Sequence, residues 1–152
     1  MKTWFSIAIL AAAAGCDSGS PPAPTIAGGV RAEPGRLRAL HVLVPFRGAH
    51  NAPDTVTRTQ DEAEVLAREI LARARRGEDF EKLMKDYSSD PGKGNYALVN
   101  HGVPPKSGDT KRDKFVAGFT KVAFSLEVGD VGMTPYDKVD SPFGYHVIKR
   151  IE

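Results

Sequence analysis

The side chains able to do metal, redox or nucleophilic chemistry in this 152-residue chain are few: one cysteine, Cys16, and four histidines, His41, His50, His101 and His146. A single cysteine forms no intrachain disulfide and builds no cysteine-rich zinc centre. The histidines lack the His-x-x-x-His or Glu-paired spacing that brings ligands together, so no metal is expected. No Gly-x-Ser-x-Gly elbow is present to expose a serine nucleophile. Two polar residues stand out by position instead. His41 interrupts the apolar run Leu40-His41-Val42-Leu43-Val44, and Asp90 precedes Pro91-Gly92. Taken alone, the first reads as a hydrogen-bonded core histidine and the second as a turn former.

Composition narrows the partners. Lys and Arg total 21 against 19 for Asp and Glu, a net charge of +2, which provides no strong field for nucleic acid or an anionic membrane. With 41% hydrophobic and 26% charged residues, the chain reads as one globular domain with short extras.

The cysteine is explained by its neighbours. Lys2 is followed by an apolar stretch from Trp4 to Ala14, too short to span a bilayer, and Ala13-Ala14-Gly15-Cys16 resembles the lipobox of bacterial lipoproteins. That resemblance implies a signal peptide over residues 1–15, lipidation of Cys16 and membrane attachment through lipid. An ordinary cleaved signal that leaves Cys16 as a spare thiol is the other reading. Residues 16–36, rich in Pro, Gly and Ser, read as a flexible tether, which places the domain at 37–152.

Within that domain, Leu40 to Val44 predicts a buried strand. Thr59-x-x-Glu62 is a capping box that opens a helix with Ala63, Leu66, Ala67, Ile70, Leu71 and Ala74 on one face, stopped at Gly77. Phe80, Leu83, Met84 and Tyr87 predict a second, shorter helix ended at Asp90-Pro91-Gly92. Gly92 to Lys114 reads as a long loop with a brief extended piece at Tyr96 to Val99. Phe115, Phe119, Val122 and Ala123 share helical spacing, Val131 to Met133 reads as a strand, and Tyr145 to Ile151 as a closing strand. Helices grouped between terminal strands indicate an α+β domain around a small, mostly antiparallel sheet.

Taken together, Leu40-His41-Val42-Leu43-Val44, Gly77-Glu78-Asp79-Phe80, Tyr87-Ser88-Ser89-Asp90-Pro91-Gly92, Phe119-x-x-x-Ala123-Phe124, Val128-Gly129-Asp130-Val131 and Phe143-Gly144-Tyr145-His146-Val147-Ile148 resemble the parvulin (PpiC-type) family of peptidyl-prolyl cis/trans isomerases, in that family's order. The resemblance implies an α+β parvulin-like (FKBP-like) fold with a four-stranded antiparallel sheet, catalysis of X-Pro rotation in unfolded or exported polypeptides, and no cofactor or metal. It implies that His41 and His146 lie side by side, that Ser141 joins their network, and that Asp90 takes the family's polar active-site position. It places the proline ring among Phe115, Phe119, Phe143 and Val99, with Phe115 on the same helical face as Phe119. A weakly active or inactive chaperone or binding module with the same fold is the alternative.

Two departures accompany it. Lys93-Gly94-Asn95-Tyr96-Ala97-Leu98 stands where the family carries Gly-Gly-Asp-Leu-Gly and an aromatic, and a basic insertion lies near residues 105–113. The loop after the first strand holds Arg47 and Arg58 without the paired basic residues of phosphate-selective members, so no phosphate requirement is expected.

Overall fold

Strand β1 (Arg36–Val44) alternates charge and apolar side chains at its start and is continuously apolar at its end, apart from His41. This fits a strand buried by stages. Its first half pairs antiparallel with β2 (Asn95–Val99), and its second half pairs antiparallel with β5 (Tyr145–Arg150). The computed structural model that shows this describes residues 32–152. The expected signal peptide and the expected lipidation site at Cys16 lie outside the described residues, as does all but the end of the expected tether.

The sheet has five strands in the order β3-β2-β1-β5-β4, with β4 (Val131–Thr134) antiparallel to β5 and β3 (Asp109–Lys111) parallel to β2. The expected four-stranded antiparallel sheet is therefore corrected to a mixed five-stranded one. The stretch read as an insertion, residues 105–113, contains the additional strand. After turning at residues 101–108 it returns beside β2, held by an Arg36–Asp109 ion pair and by an Arg36 guanidinium bond to the Pro104 carbonyl. The folded part also begins before Leu37. Glu33 pairs with Arg112 and accepts from Asn100, so the end of the stretch read as a tether is bound to the domain.

Helix α1 (Gln60–Arg75) starts at Thr59, where both capping-box bonds form: the Glu62 amide donates to Thr59 Oγ1 at 3.2 Å and the Thr59 amide to Glu62 Oε2 at 2.7 Å. Gly77 ends it with φ of 90°, a conformation that favours glycine. Ala63, Ala67, Ile70 and Ala74 pack with Phe80 and Leu83 of α2 (Phe80–Tyr87) against Leu40, Val42, Val44 and Val147. Because strand side chains alternate, the opposite face carries Leu37, Ala39, Leu98 and Ile148, which pack under α3 (Ala117–Ser125) through Phe119, Ala123 and Phe124. Gly132 permits that approach, since a Cβ there would sit 2.8 Å from Val122 Cγ1. One face of the sheet thus belongs to α1 and α2. The other is shared by α3 and an open cavity.

Candidate active site

The alternation that sends Val42 and Val147 toward α1 sends His41 and His146 to the face of the cavity. His41 is opposite Ile148 and His146 is opposite Leu43, which makes the two histidines diagonal neighbours on adjacent strands. Their rings lie 18° from parallel, and His146 Nδ1 is 2.8 Å from His41 Nε2. Both are buried.

Asp90 closes this line at the other end. Its Oδ2 lies 3.4 Å from His41 Nδ1, a long electrostatic contact that leaves the nitrogen without a well-formed hydrogen bond. A carboxylate only accepts, so it favours the proton on His41 Nδ1; in the neutral pair His41 Nε2 then accepts from His146 Nδ1. His146 Nε2 is then a buried acceptor with no hydrogen-bond partner among the described residues. One carboxylate at the rim therefore orients two rings.

Burial works to raise the Asp90 pKa, but the close His41 ring and the hydrogen bonds from Tyr96 and the Gly92 amide outweigh it and hold the carboxyl well below the usual range. Burial drives His146 strongly in the uncharged direction, and the neighbouring His41 adds to it, against a smaller opposing pull from Asp90. The consequence for stability has a definite sign. A native His146 that refuses a proton below its ordinary 6.5, while the unfolded chain accepts one, contributes full stability above about pH 7 and loses it as pH falls, by up to about 1.4 kcal/mol per unit. Asp90, whose ordinary value is 3.8, adds a second loss below about pH 4. The thermal midpoint should be level from pH 8 to 7 and fall from pH 6.5 to 5. His146→Asn should flatten that first decline, and a wild-type midpoint unchanged down to pH 5 would contradict the assignment.

The cavity over this floor measures about 550 Å³. Phe119 and Phe115 form one wall, with stacked rings 5.1 Å apart at 20°, and the Phe119 edge meets His41 at 5.0 Å. Phe143 stands on another side with His50 behind it at 5.1 Å, while Pro45 and Pro53 contribute from the segment after β1. Asp113 and Lys114, which follow β3, complete the rim.

Most of the expected site residues meet here: His41, His146, Asp90, Phe115, Phe119 and Phe143 all line the cavity. Three expectations change. Phe115 precedes α3 in extended conformation (φ −110°, ψ 158°), so it reaches Phe119 from a loop rather than from the same helix face. Val99 is buried away from the cavity, because Leu98 points to the α3 side and strand alternation turns its neighbour the other way. Ser141 is fully buried, and its hydroxyl donates to the Gly144 carbonyl at 3.0 Å instead of joining the histidines. It shapes the turn that delivers Phe143 and His146.

Tyr96 is the residue that sequence reasoning missed. Its hydroxyl donates to Asp90 Oδ2 at 2.6 Å and its ring meets Phe115 edge-on at 4.9 Å. The available signal was an aromatic two residues before Leu98 on the same face of a short strand. Among the described residues, no three His, Cys, Asp or Glu side chains come together in an arrangement able to hold a metal ion.

Comparison with known proteins bears on this geometry. A family model described as "PPIC-type PPIASE domain" matches residues 27–152. Foldase protein PrsA of Geobacillus kaustophilus is 34% identical over 114 residues, covering 75% of this chain and 31% of that protein. Chaperone SurA of Chromohalobacter salexigens is 35% identical over 92 residues, covering 60% of this chain and 19% of that protein. The chain thus spans less than a third of either relative. Among solved structures, peptidyl-prolyl isomerase ESS1 from Candida albicans superposes with a TM-score of 0.59 at 22% identity, covering 78% of this chain and 63% of that one, a likeness of fold.

Proposed function

The chain belongs to the PPIC-type peptidyl-prolyl isomerase family, and from that premise we propose that residues 32–152 form a rotamase that speeds cis/trans exchange of X-Pro bonds in unfolded or exported polypeptides at the cell envelope. The observation that carries this reading is the apolar cavity walled by Phe115 and Phe119 over the Asp90, His41 and His146 floor. Relatives named foldase and chaperone support a polypeptide client. The Ala13-Ala14-Gly15-Cys16 motif supports attachment through a lipidated Cys16, with residues 1–15 removed.

The reaction breaks and forms no covalent bond. An X-Pro amide rotates over a barrier of about 18–20 kcal/mol because the nitrogen lone pair is conjugated with the carbonyl. Twisting removes that conjugation and reduces the charge on the carbonyl oxygen. In this reading the proline ring sits against Phe119 and Phe115, away from water, and the Asp90 carboxylate faces the substrate carbonyl. A fixed negative charge there repels the planar, polarised amide more than the twisted one, so it lowers the barrier. The histidine pair keeps the floor rigid and Asp90 aimed. A thousandfold acceleration requires only about 4 kcal/mol of such differential interaction.

NMR exchange measurements on a panel of X-Pro peptides test the proposal. Line broadening or magnetisation transfer between cis and trans signals should appear at catalytic protein concentrations, with no need for phosphate on the residue before proline. Peptide binding without faster exchange would assign the domain to a chaperone role instead. Mass spectrometry of the amino-terminal peptide from membranes tests the anchor: a diacylglyceryl thioether on Cys16 supports it, and an unmodified thiol rejects it.

A further inference from the structure

The short connection from α2 to β2 is wound unusually tightly around Asp90. Lys93 and Gly94 take φ values of 63° and 69°, and a Cβ on Gly94 would lie 2.3 Å from the His41 carbonyl oxygen. At Gly92 the demand is for space: a Cβ there would lie 2.0 Å from the Tyr96 hydroxyl. That hydroxyl donates to Asp90 Oδ2 at 2.6 Å, while the Gly92 amide donates to Oδ1 at 3.1 Å. His41 Nδ1, at 3.4 Å, is the more distant neighbour of Oδ2. The tyrosine therefore makes the shortest contact to the carboxylate.

We propose that Tyr96 is a positioning residue for Asp90, its phenol fixing Oδ2 at the cavity rim, with Gly92 conserving the space that this hydroxyl occupies. Its chemistry suits the task. A charge-assisted O–H···O⁻ bond is short and directional, yet a phenol brings no positive charge, so the carboxylate is held without being neutralised as a guanidinium or ammonium would neutralise it. Burial and the adjacent carboxylate both raise the phenol pKa, which keeps the proton on Tyr96. The ring is fixed independently by Phe115, at 4.9 Å edge-on, so the hydroxyl and the wall can be separated by mutation.

The effect on turnover rests on the isomerase reading above. Tyr96→Phe keeps the wall and removes the bond; kcat should fall about 3- to 10-fold with KM changed less than twofold. Gly92→Ala should reproduce that loss by displacing the hydroxyl, and combining the two substitutions should add nothing further. On an Asp90→Asn background, Tyr96→Phe should likewise have little additional effect. Additive losses, or an unchanged kcat in Tyr96→Phe, overturn the proposal. Thermal unfolding of each variant verifies that the fold persists. A second readout does not depend on catalysis: a protected Tyr96 hydroxyl proton should appear downfield in the proton NMR spectrum and vanish in Tyr96→Phe and Gly92→Ala. If the wild-type chain shows no exchange activity, the isomerase reading falls, and this resonance alone then upholds the positioning by its presence or overturns it by its absence.

Discussion

Phe119→Ala is expected to reduce the free energy of unfolding by about 3–5 kcal/mol, read as a lower midpoint in urea with an unchanged slope. The side chain is 1% exposed and belongs to the cluster formed by Leu37, Ala39, Leu98, Ala123, Phe124 and Ile148. It also touches the site, edge-on to His41 at 5.0 Å and to His146 at 5.9 Å. One ring is thus both core and pocket wall. Since domains are stable by only about 5–15 kcal/mol, the alanine variant approaches the unfolding threshold, and lost activity in it would say little about chemistry. Phe119→Leu separates the two roles. It retains much of the apolar volume, so it should remain folded while its peptide-exchange rate falls through loss of the flat contact to the proline ring. If Phe119→Leu exchanged at the wild-type rate, the ring would be core alone.

Asp90→Asn is expected to slow exchange by about 10- to 100-fold, the effect of removing a preorganised charge from a partly dry site. The geometry of this substitution is informative. The amide oxygen can occupy the Oδ2 position and still accept from Tyr96. The amide nitrogen then faces the Gly92 N–H where Oδ1 had accepted it at 3.1 Å, which sets donor against donor. The turn should lose about 1–3 kcal/mol for that orphaned bond, visible as a lower melting temperature. Rate and stability report different things here. A stability loss with an unchanged exchange rate would reduce Asp90 to the turn former that its place before Pro91 suggests.

Helix α1 was legible in full because its signals agree: capping box, one apolar face and Gly77 all specify the same element. The first half of β1 was not, since Arg36 and Arg38 break the apolar run; those positions are only partly buried, where β1 crosses to pair with β2. β3 had no apolar pattern to detect. Asp109-Thr110-Lys111 becomes a strand through the β2 ladder and the Arg36–Asp109 pair, both remote in sequence. In the site, the residues that converge were named through the family resemblance; what points His41, His146 and Phe119 inward is the period-two alternation of β1 and β5 and the inner face of α3. The errors at Val99 and Ser141 came from a different source. For the first, strand parity depended on where β2 begins, and for the second, a hydroxyl in a tight turn is satisfied by the nearest carbonyl. Tyr96 escaped notice because its importance lies in a partner six residues away across a turn.

The attachment of Glu33 to Arg112 and Asn100 has a mechanical consequence. A pull on the chain just ahead of residue 33 is borne first by this clasp and next by β1, a central strand laced on one side to β2 and on the other to β5. Such a strand must be sheared out of two ladders rather than peeled from an edge. The same clasp grips Arg112, the residue directly before the Asp113 and Lys114 rim of the cavity, so tension arriving at this end is delivered beside the entrance through which a client would pass.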